Sequence, residues 1–164
     1  MNDFVEIGIL QQRKIEAEII KPIYDIMKRE LGIEKAQAII AEAISNAAIE
    51  TGQVFAENTE GPVTLESFVD LQYLWLKGNA LTIDVKNHSH GEYQYDVTRC
   101  RYAEMYHEMG LGEIGFLLSC NRDSQFIKGY APDIHLERPK TIMEGYATCG
   151  FHYQFINPRD KALS

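Results

Sequence analysis

The chain has 164 residues, of which 45% are hydrophobic and 24% charged, a composition typical of a globular protein that can bury a sizeable core. Its net charge of −8 argues against nucleic acid or an anionic membrane surface as the main partner, because both bind clustered Lys and Arg. No run of about 18 apolar residues is present, so the sequence predicts no membrane span.

The N-terminal segment and the cysteines indicate a compartment. "MNDFVEIGILQQRKIEAE" lacks a basic region, a long apolar stretch and a small-residue cleavage site, so we predict no secretory signal. All three cysteines, Cys100, Cys120 and Cys149, lie in the second part of the chain, and three thiols cannot all pair with one another. We therefore expect reduced thiols in a cytoplasmic protein.

The first element in chain order is helical. Isoleucines recur at close to helical spacing from Ile15 to Ile26. Pro22 interrupts this pattern and marks either a kink or the start of a second helix. Gly32 predicts the end of the helical segment.

Two more helices are predicted before residue 79. The alanine-rich segment 36–51, followed by Gly52, predicts a helix that packs closely against a neighbour, and this helix is also a candidate surface for self-association. Thr64 follows a loop and predicts the N-cap of a further helix, which ends near Gly78.

The period then changes from helical to alternating. Apolar and polar residues alternate in "ALTIDVK" and in "EYQYDVTR", and the turn-forming "NHSHG" between them predicts an antiparallel hairpin. His88 and His90 flank this turn and are interpreted as exposed loop residues. Helical patterns continue to about Lys128, and "IHLER" and "TCGFHYQF" predict two further strands.

This order predicts an α+β fold, in which N-terminal helices pack on a small antiparallel sheet with a β-hairpin and a Cys-bearing C-terminal strand. We interpret 1–164 as a single domain. It would comprise a helical part, 1–78, a part with hairpin, helix and strands, 79–156, and a frayed tail, 157–164.

Cys100 lies where the second hairpin strand gives way to a helix. A helix N-terminus lowers the pKa of a thiol and raises its thiolate fraction, so Cys100 is a candidate nucleophile. On a helix that begins there, Glu104, His107 and Glu108 lie on the side of the thiol and could line a site with it. The alternative is a small buried cysteine beside a solvated helix face.

Cys120 and Asp123 are three residues apart and share one side of a helix. Asp123 could act as a general base, and Arg122 could hold a substrate carboxylate with its planar guanidinium. The alternative is a helix end at which Asn121 and Asp123 serve as caps. Cys149 shares one face of a strand with aromatic residues, a pattern typical of a core.

The spacing of the cysteines does not match a zinc finger, but three thiols could still converge in the fold as a Cys₃ site. A Gly-rich phosphate loop, a GxSxG elbow, an HExxH motif and a CxxC motif are all missing from the sequence. Nucleotide binding, serine hydrolysis and zincin chemistry therefore lose support.

From about Val97 to Phe155 the chain resembles the L-2-amino-thiazoline-4-carboxylic acid hydrolase family. The segments that carry the resemblance are, in order, "VTRCRYAEMYHEMG", "LLSCNRD", "YAPDIHLER" and "TIMEGYATCGFHYQF". The resemblance implies functional roles for matching residues in three of these segments. These residues are Cys100, Cys120, Asp123, Cys149, Glu108, Glu144 and His152.

The resemblance also implies a reaction, the hydrolysis of a non-peptide C–N bond in a cyclic, amidine-like small molecule that bears a carboxylate. Such a reaction requires a nucleophile, a proton donor and a cation for the carboxylate. Cys100 is the first candidate for the nucleophile and Asp123 for the acid and base, and His107 or Glu108 could move protons. The candidates for the cation are Arg99, Arg101 and Arg122.

Two alternatives stay open. The thiol mechanism requires no cofactor, but Cys100, Cys120 and Cys149 could instead bind zinc, whose bound water would attack. The order of elements also resembles small-molecule-sensing domains of the vinyl-4-reductase type, which implies a ligand-binding or sensory module. In each case the expected partner is a small molecule, and a homo-oligomer is compatible with the sequence.

Overall fold

The computed structural model describes residues 7–156. The helices are α1 (Ile9–Leu31), α2 (Ile33–Glu57), α3 (Leu65–Asp70), α4 (Tyr73–Leu76), α5 (Arg101–Glu108) and α6 (Asn121–Tyr130). The strands are β1 (Leu81–Ser89), β2 (Glu92–Cys100), β3 (Ile134–Glu137) and β4 (Cys149–Phe155). Short 3₁₀ turns lie at Lys77–Asn79 and Ile142–Glu144, and a π-helical turn, Phe116–Cys120, directly precedes α6. The predicted frayed tail, 157–164, lies outside the described residues.

The first helix runs through its proline. Pro22 lies inside α1 and is exposed, so water can satisfy the carbonyl that the missing N–H leaves free. The alternative in which a second helix starts at Pro22 is therefore wrong. Gly32 has a φ of 85° and ends α1, which confirms the predicted stop.

The second helix continues past its predicted end, because Gly52 is a packing residue and not a stop. A Cβ at Gly52 would lie 2.2 Å from the carbonyl oxygen of Phe126, and one at Gly129 would lie 2.1 Å from that of Ile49. The backbones of α2 and α6 therefore touch at these glycines. This contact confirms the close helix packing that small residues predicted.

The third predicted helix is instead two short ones. Thr64 is the N-cap of α3, as predicted, and its side chain accepts a hydrogen bond from the Ser67 N–H. The N–H groups of Leu71 and Gln72 donate to carbonyls three residues back, and this tighter turn ends α3. α4 then begins at Tyr73.

The sheet is antiparallel with strand order β1-β2-β4-β3, so the Cys-bearing strand β4 is central. The predicted hairpin is confirmed, but its turn contains only His90 and Gly91. His88 lies in β1 opposite Tyr93, so the interpretation of His88 as a loop residue is wrong, although its side chain is exposed. Together with the helices, this sheet confirms the α+β fold.

The core has two parts that meet at the end of β2. One part lies among α1, α2 and α5, and the other lies between the sheet, α3 and α6. Cys100 packs against both parts. The inner face of the sheet carries Tyr93, Tyr95, Val97, Cys149, Phe151 and Tyr153, all buried. Among residues 7–156, no helix combines the length and the hydropathy needed to span a bilayer.

Candidate functional site

A cavity of about 460 Å³ lies where the two parts of the core meet. Its lining comes mainly from α1, α2, α6 and strands β2 and β4. Cys100, Cys120, Cys149 and Asp123 all line this cavity. The fold thus brings together three sulfur atoms that are far apart in the sequence.

A β-bulge aims Cys100 into the cavity. Thr82 pairs with Arg99 and the next residue, Ile83, pairs with Val97, so Thr98 is an extra residue in β2. Strict alternation from the buried Val97 would place Arg99 on the inner face. The extra residue reverses the alternation, so that Arg99 is exposed and Cys100 faces inward.

Cys100 is the N-cap of α5, and its Sγ accepts a hydrogen bond from the Ala103 N–H at 3.4 Å. Burial nevertheless raises the pKa of Cys100 to about 11, because the loss of hydration outweighs this hydrogen bond. The helix start was correctly predicted. The predicted lowering of the thiol pKa is wrong.

The other two thiols are also held in their neutral form. Burial raises the pKa of Cys120, and the neighbouring Asp123 carboxylate raises it further. Burial also raises the pKa of Cys149, although its Sγ accepts a hydrogen bond from the Ile142 N–H at 3.1 Å. At neutral pH the cavity therefore presents three S–H groups.

Cys120 closes a π-helical turn that runs directly into α6. π-Helical turns are rare and occur often at functional sites. Because the chain is helical on both sides of Asn121, the alternative of a capped helix end is wrong. The Asn121 amide instead donates to the Ser45 hydroxyl of α2 at 2.9 Å.

The Asp123 carboxylate has a fixed cationic partner, Arg138, which follows β3. Arg138 Nη1 donates to Asp123, and Nη2 donates to the Cys120 carbonyl at 2.8 Å. The guanidinium also lies over the ring of Phe151, 5.0 Å from its centre. Burial raises the pKa of Asp123, and the Arg138 charge opposes this rise.

One N–H group of Arg138 has no hydrogen-bond acceptor among the described residues. Its Nε is buried and is the single buried side-chain N or O atom without a hydrogen-bond partner within residues 7–156. Leaving a buried donor unpaired costs about 1–3 kcal/mol, so such groups are rare and call for a physical explanation.

A second charged cluster lines the cavity beside the first. Arg13 donates to Glu16 at 3.0 Å, and Arg122 Nη2 donates to the same carboxylate at 3.1 Å. Arg122 Nε donates to the carbonyl of Leu118 in the π-helical turn. With Asp123 and Arg138 included, three guanidinium groups and two carboxylates line the cavity, which gives it one excess positive charge.

The remaining lining is largely apolar and aromatic. Trp75 and Phe126 contact each other edge to face with ring centres 5.3 Å apart, and Tyr95 stacks on Phe151 at 4.8 Å. Further aromatic rings in the lining are those of Phe55, Phe68, Tyr102 and Tyr153. Such walls bind flat or apolar parts of small ligands.

The sequence matches the model of the L-2-amino-thiazoline-4-carboxylic acid hydrolase family over residues 12–153. The chain belongs to this hydrolase family. The matched range contains all three cysteines and all five charged residues that line the cavity. No curated protein matches the sequence.

Two solved structures share the fold. One is a trafficking protein particle complex subunit 3 from Naegleria fowleri covalently bound to palmitic acid, with a TM-score of 0.52 and 9% identity, covering 89% of this chain and 96% of that one. The other is the phenol-responsive sensory domain of the transcription activator PoxR with phenol, with a TM-score of 0.50 and 9% identity, covering 87% of this chain and 73% of that one. At this identity, the similarity concerns the fold alone.

Arg99 and Arg101, which were candidate carboxylate anchors for this hydrolase-family member, do not line the cavity. Arg99 forms an exposed ion pair with Glu104 at 2.8 Å. Arg101 donates to the carbonyl of Gly78 at 2.8 Å. Of the three predicted arginines, the structure therefore brings only Arg122 to the thiols.

The other four predicted residues also lie outside the cavity. His107 and Glu108 are exposed on α5. Glu144 accepts a hydrogen bond from the Thr141 hydroxyl at 2.7 Å, in the 3₁₀ turn before β4. The His152 side chain contacts Glu92 of the neighbouring strand β2, on the face of the sheet opposite to Cys149.

Sequence reasoning missed three charged residues of the site, Arg13, Glu16 and Arg138. Arg13 and Glu16 are spaced as a helical i, i+3 pair, which is a common surface pattern and gives no sign of a cavity. Arg138 precedes Pro139 at a strand end, where an exposed arginine would be ordinary.

Within residues 7–156, no three or more His, Cys, Asp or Glu side chains lie together so that they could hold a metal ion. The three thiols share one cavity without forming such a group. Zinc bound by Cys100, Cys120 and Cys149 stays a prediction.

Proposed function

We propose that this protein hydrolyses a small cyclic amidine that bears a carboxylate, of the 2-amino-thiazoline-4-carboxylate type. The observation that carries the proposal is the convergence of three thiols, Asp123 and Arg138 on one cavity. Membership of the hydrolase family supports the reaction class. The volume of the cavity lies within the range of small-molecule sites, roughly 300–1,000 Å³.

Arg138 is the preferred anchor for the substrate carboxylate. A carboxylate in the cavity would balance the excess positive charge, and with a small shift of the Arg138 side chain it would supply the acceptor that the buried Nε lacks. Arg122 is the second choice, because its Nε and Nη2 already donate to Leu118 and Glu16.

Asp123 is suited to move the protons. Burial raises its pKa, which makes the carboxylate a stronger base, and the Arg138 charge opposes this rise. The three thiols are neutral, so any of them attacks only as a base removes its proton. Cys100 is the first candidate for the nucleophile, since the Ala103 N–H hydrogen-bonds to its sulfur.

The overall reaction consumes one water. Its oxygen bonds to the ring carbon that carries the amino group, the bond from this carbon to the ring sulfur breaks, and the two protons end on the ring nitrogen and sulfur. The product is an N-carbamoyl cysteine with a free thiol. Loss of the amino group would instead break a C–N bond and release ammonia.

The experiment incubates the purified chain with 2-amino-thiazoline-4-carboxylate and measures small-molecule thiol and ammonia separately. We expect turnover by the wild type, and a loss of about 100-fold or more in kcat for Asp123→Asn and Cys100→Ser. Glu108→Gln, outside the cavity, is the matched control and should retain activity. Absence of both products, or full activity of Asp123→Asn, would contradict the proposal.

A second candidate is a binding or sensory module without turnover. The aromatic lining and the neutral thiols favour it, because an apolar ligand requires neither a nucleophile nor a base. The names of both solved structures include a bound apolar or aromatic molecule, palmitic acid in one and phenol in the other. In this case the protein would bind a phenol-like compound and release it unchanged.

A further inference from the structure

The outer side of α1 carries a stripe of exposed isoleucines. Its members are Ile15, Ile19, Ile23 and Ile26, each between 48% and 63% exposed, and together they are called the isoleucine stripe. Intervals of four, four and three residues keep them on one side of the helix. Leu31, the last residue of α1, and Ile33, the first of α2, are also exposed apolar residues.

The stripe is not required to hold α1 in the fold. The inner side of the same helix carries Ala17 and Tyr24, which are 1% and 3% exposed and pack in the core. A helix that packs on one side of a domain requires one apolar face. A second, contiguous apolar face in water is typical of an interaction surface.

The occupant that fits this face is a second copy of the chain. We propose that the protein forms a two-fold symmetric dimer through the isoleucine stripe. In an antiparallel pair of α1 helices, Ile15 lies opposite Ile26 of the other copy and Ile19 lies opposite Ile23. Each copy thereby presents the same patch to the other, as a two-fold interface requires.

The charge distribution favours self-association at this face over others. The whole chain carries a net charge of −8, whereas α1 contains five basic and four acidic residues and is at +1. The rest of the chain is therefore at −9, and contacts between two copies through other surfaces are repelled more strongly.

The same charges disfavour an anionic membrane as the occupant. On the exposed side of α1, Lys21 pairs with Asp25 at 3.2 Å and Arg29 pairs with Glu30 at 2.7 Å, so these charges balance and offer anionic headgroups no excess of cations. Helices that bind anionic membranes instead carry an excess of Lys and Arg on their polar face. The dimer would also brace the cavity, because Arg13, Glu16 and Ile20 line it from the same helix.

The test measures the mass of the full chain by light scattering and sedimentation, from micromolar to near-millimolar concentration. We expect a concentration-dependent rise from the chain mass of 18.7 kDa to twice that value. Ile19→Glu should remain monomeric throughout this range. Val54→Glu is the matched control, since Val54 is similarly exposed but lies near the end of α2, and it should dimerise like the wild type.

Circular dichroism and thermal melting establish that both variants are folded, which the exposure of both positions predicts. A wild type that stays monomeric at every concentration would overturn the proposal. Equal dissociation of both variants would also overturn it, because the contact would then lie elsewhere. Binding of a monomeric wild type to phosphatidylglycerol vesicles, lost in Ile19→Glu, would assign the stripe to a membrane instead.

Discussion

Arg138 bridges Asp123 and the backbone of Cys120 with two of its three nitrogens. The Arg138 side chain is 6% exposed and the Asp123 side chain 27%, so the cavity contains a partly buried ion pair with defined geometry and not a mobile surface contact. This pair fixes the carboxylate and, through the Cys120 carbonyl, the π-helical turn that carries a thiol. It connects three elements around the cavity.

Removing the cation should therefore destabilise the fold. Arg138→Met leaves the half-buried Asp123 carboxylate without its counter-charge, and we expect a loss of about 2 kcal/mol in the free energy of unfolding. Urea unfolding at pH 7 measures it. Arg99→Met, which breaks the exposed pair with Glu104, is the control and should leave the free energy of unfolding nearly unchanged. Equal losses in the two variants would show that the Arg138 pair is not buried in solution.

Much of this site followed from local sequence signals, and the rest depended on contacts that no local pattern encodes. The helix start at Cys100 and the placement of Asp123 three residues after Cys120 were visible as spacing. Arg138 was not, since its partner Asp123 lies 15 residues earlier in the chain, in α6. Arg99 was chosen wrongly because one extra residue, Thr98, reverses the strand alternation, and periodicity cannot reveal a bulge.

The thiol pKa illustrates the same limit. The position of Cys100 at a helix start is a local feature, and the hydrogen bond from the Ala103 N–H does act on the thiol pKa in the predicted, lowering direction. The opposing effect, burial between two parts of the core, arises from packing of distant elements. Burial has the larger effect on the pKa of Cys100, and local sequence patterns do not predict it.

A pH dependence follows from the raised pKa of Cys100. An ordinary thiol ionises near pH 9, whereas burial raises the pKa of Cys100 to about 11 in the folded state. Between these values the unfolded chain has lost the proton and the folded chain retains it. Folding stability from this group is thus fully present below pH 9 and is lost as the pH rises toward 11.

Denaturant unfolding of the wild type and Cys100→Ser at several pH values measures this effect. We expect the free energy of unfolding of the wild type to fall more steeply between pH 9 and 11, because serine does not ionise there. Parallel pH dependences would mean that Cys100 is not buried in solution.

The glycine contact between α2 and α6 predicts that replacing a helical glycine by alanine lowers stability here, opposite to the usual effect. Alanine normally stabilises a helix relative to glycine, by about 1 kcal/mol. At Gly52 and Gly129 the new Cβ would meet backbone atoms of the other helix at 2.2 Å and 2.1 Å, so Gly52→Ala and Gly129→Ala should lower Tm clearly. Gly91→Ala is the control, since nothing lies within 4 Å of its Cβ position. A raised Tm for the helical variants would mean that the helices are farther apart.

Metal analysis tests the zinc alternative directly. Because the described residues contain no group arranged to hold a metal ion, we expect the purified protein to carry no stoichiometric zinc. The control is the triple variant in which all three cysteines are replaced by serine, which should contain the same trace amount. Zinc equimolar with the wild-type chain and lost in Cys100→Ser would replace the thiol mechanism with attack by metal-bound water.

Ligand binding can be followed with the one tryptophan of the chain, Trp75, because it lines the cavity and contacts Phe126. We expect 2-amino-thiazoline-4-carboxylate to change its emission saturably. Arg138→Lys should weaken this binding roughly tenfold, since lysine retains the charge but lacks the Nε donor. Arg99→Lys is the matched control and should bind like the wild type.

Titration with phenol separates the two proposed functions in the same assay. Phenol has no carboxylate, so its affinity should not depend on Arg138. If the hydrolase proposal holds, the carboxylate ligand binds the wild type more tightly than phenol does, and Arg138→Lys removes most of that difference. The sensory module would be favoured if phenol binds tightly and the affinity for the carboxylate ligand is the same in the wild type and in Arg138→Lys. The aromatic wall alone would then select the ligand.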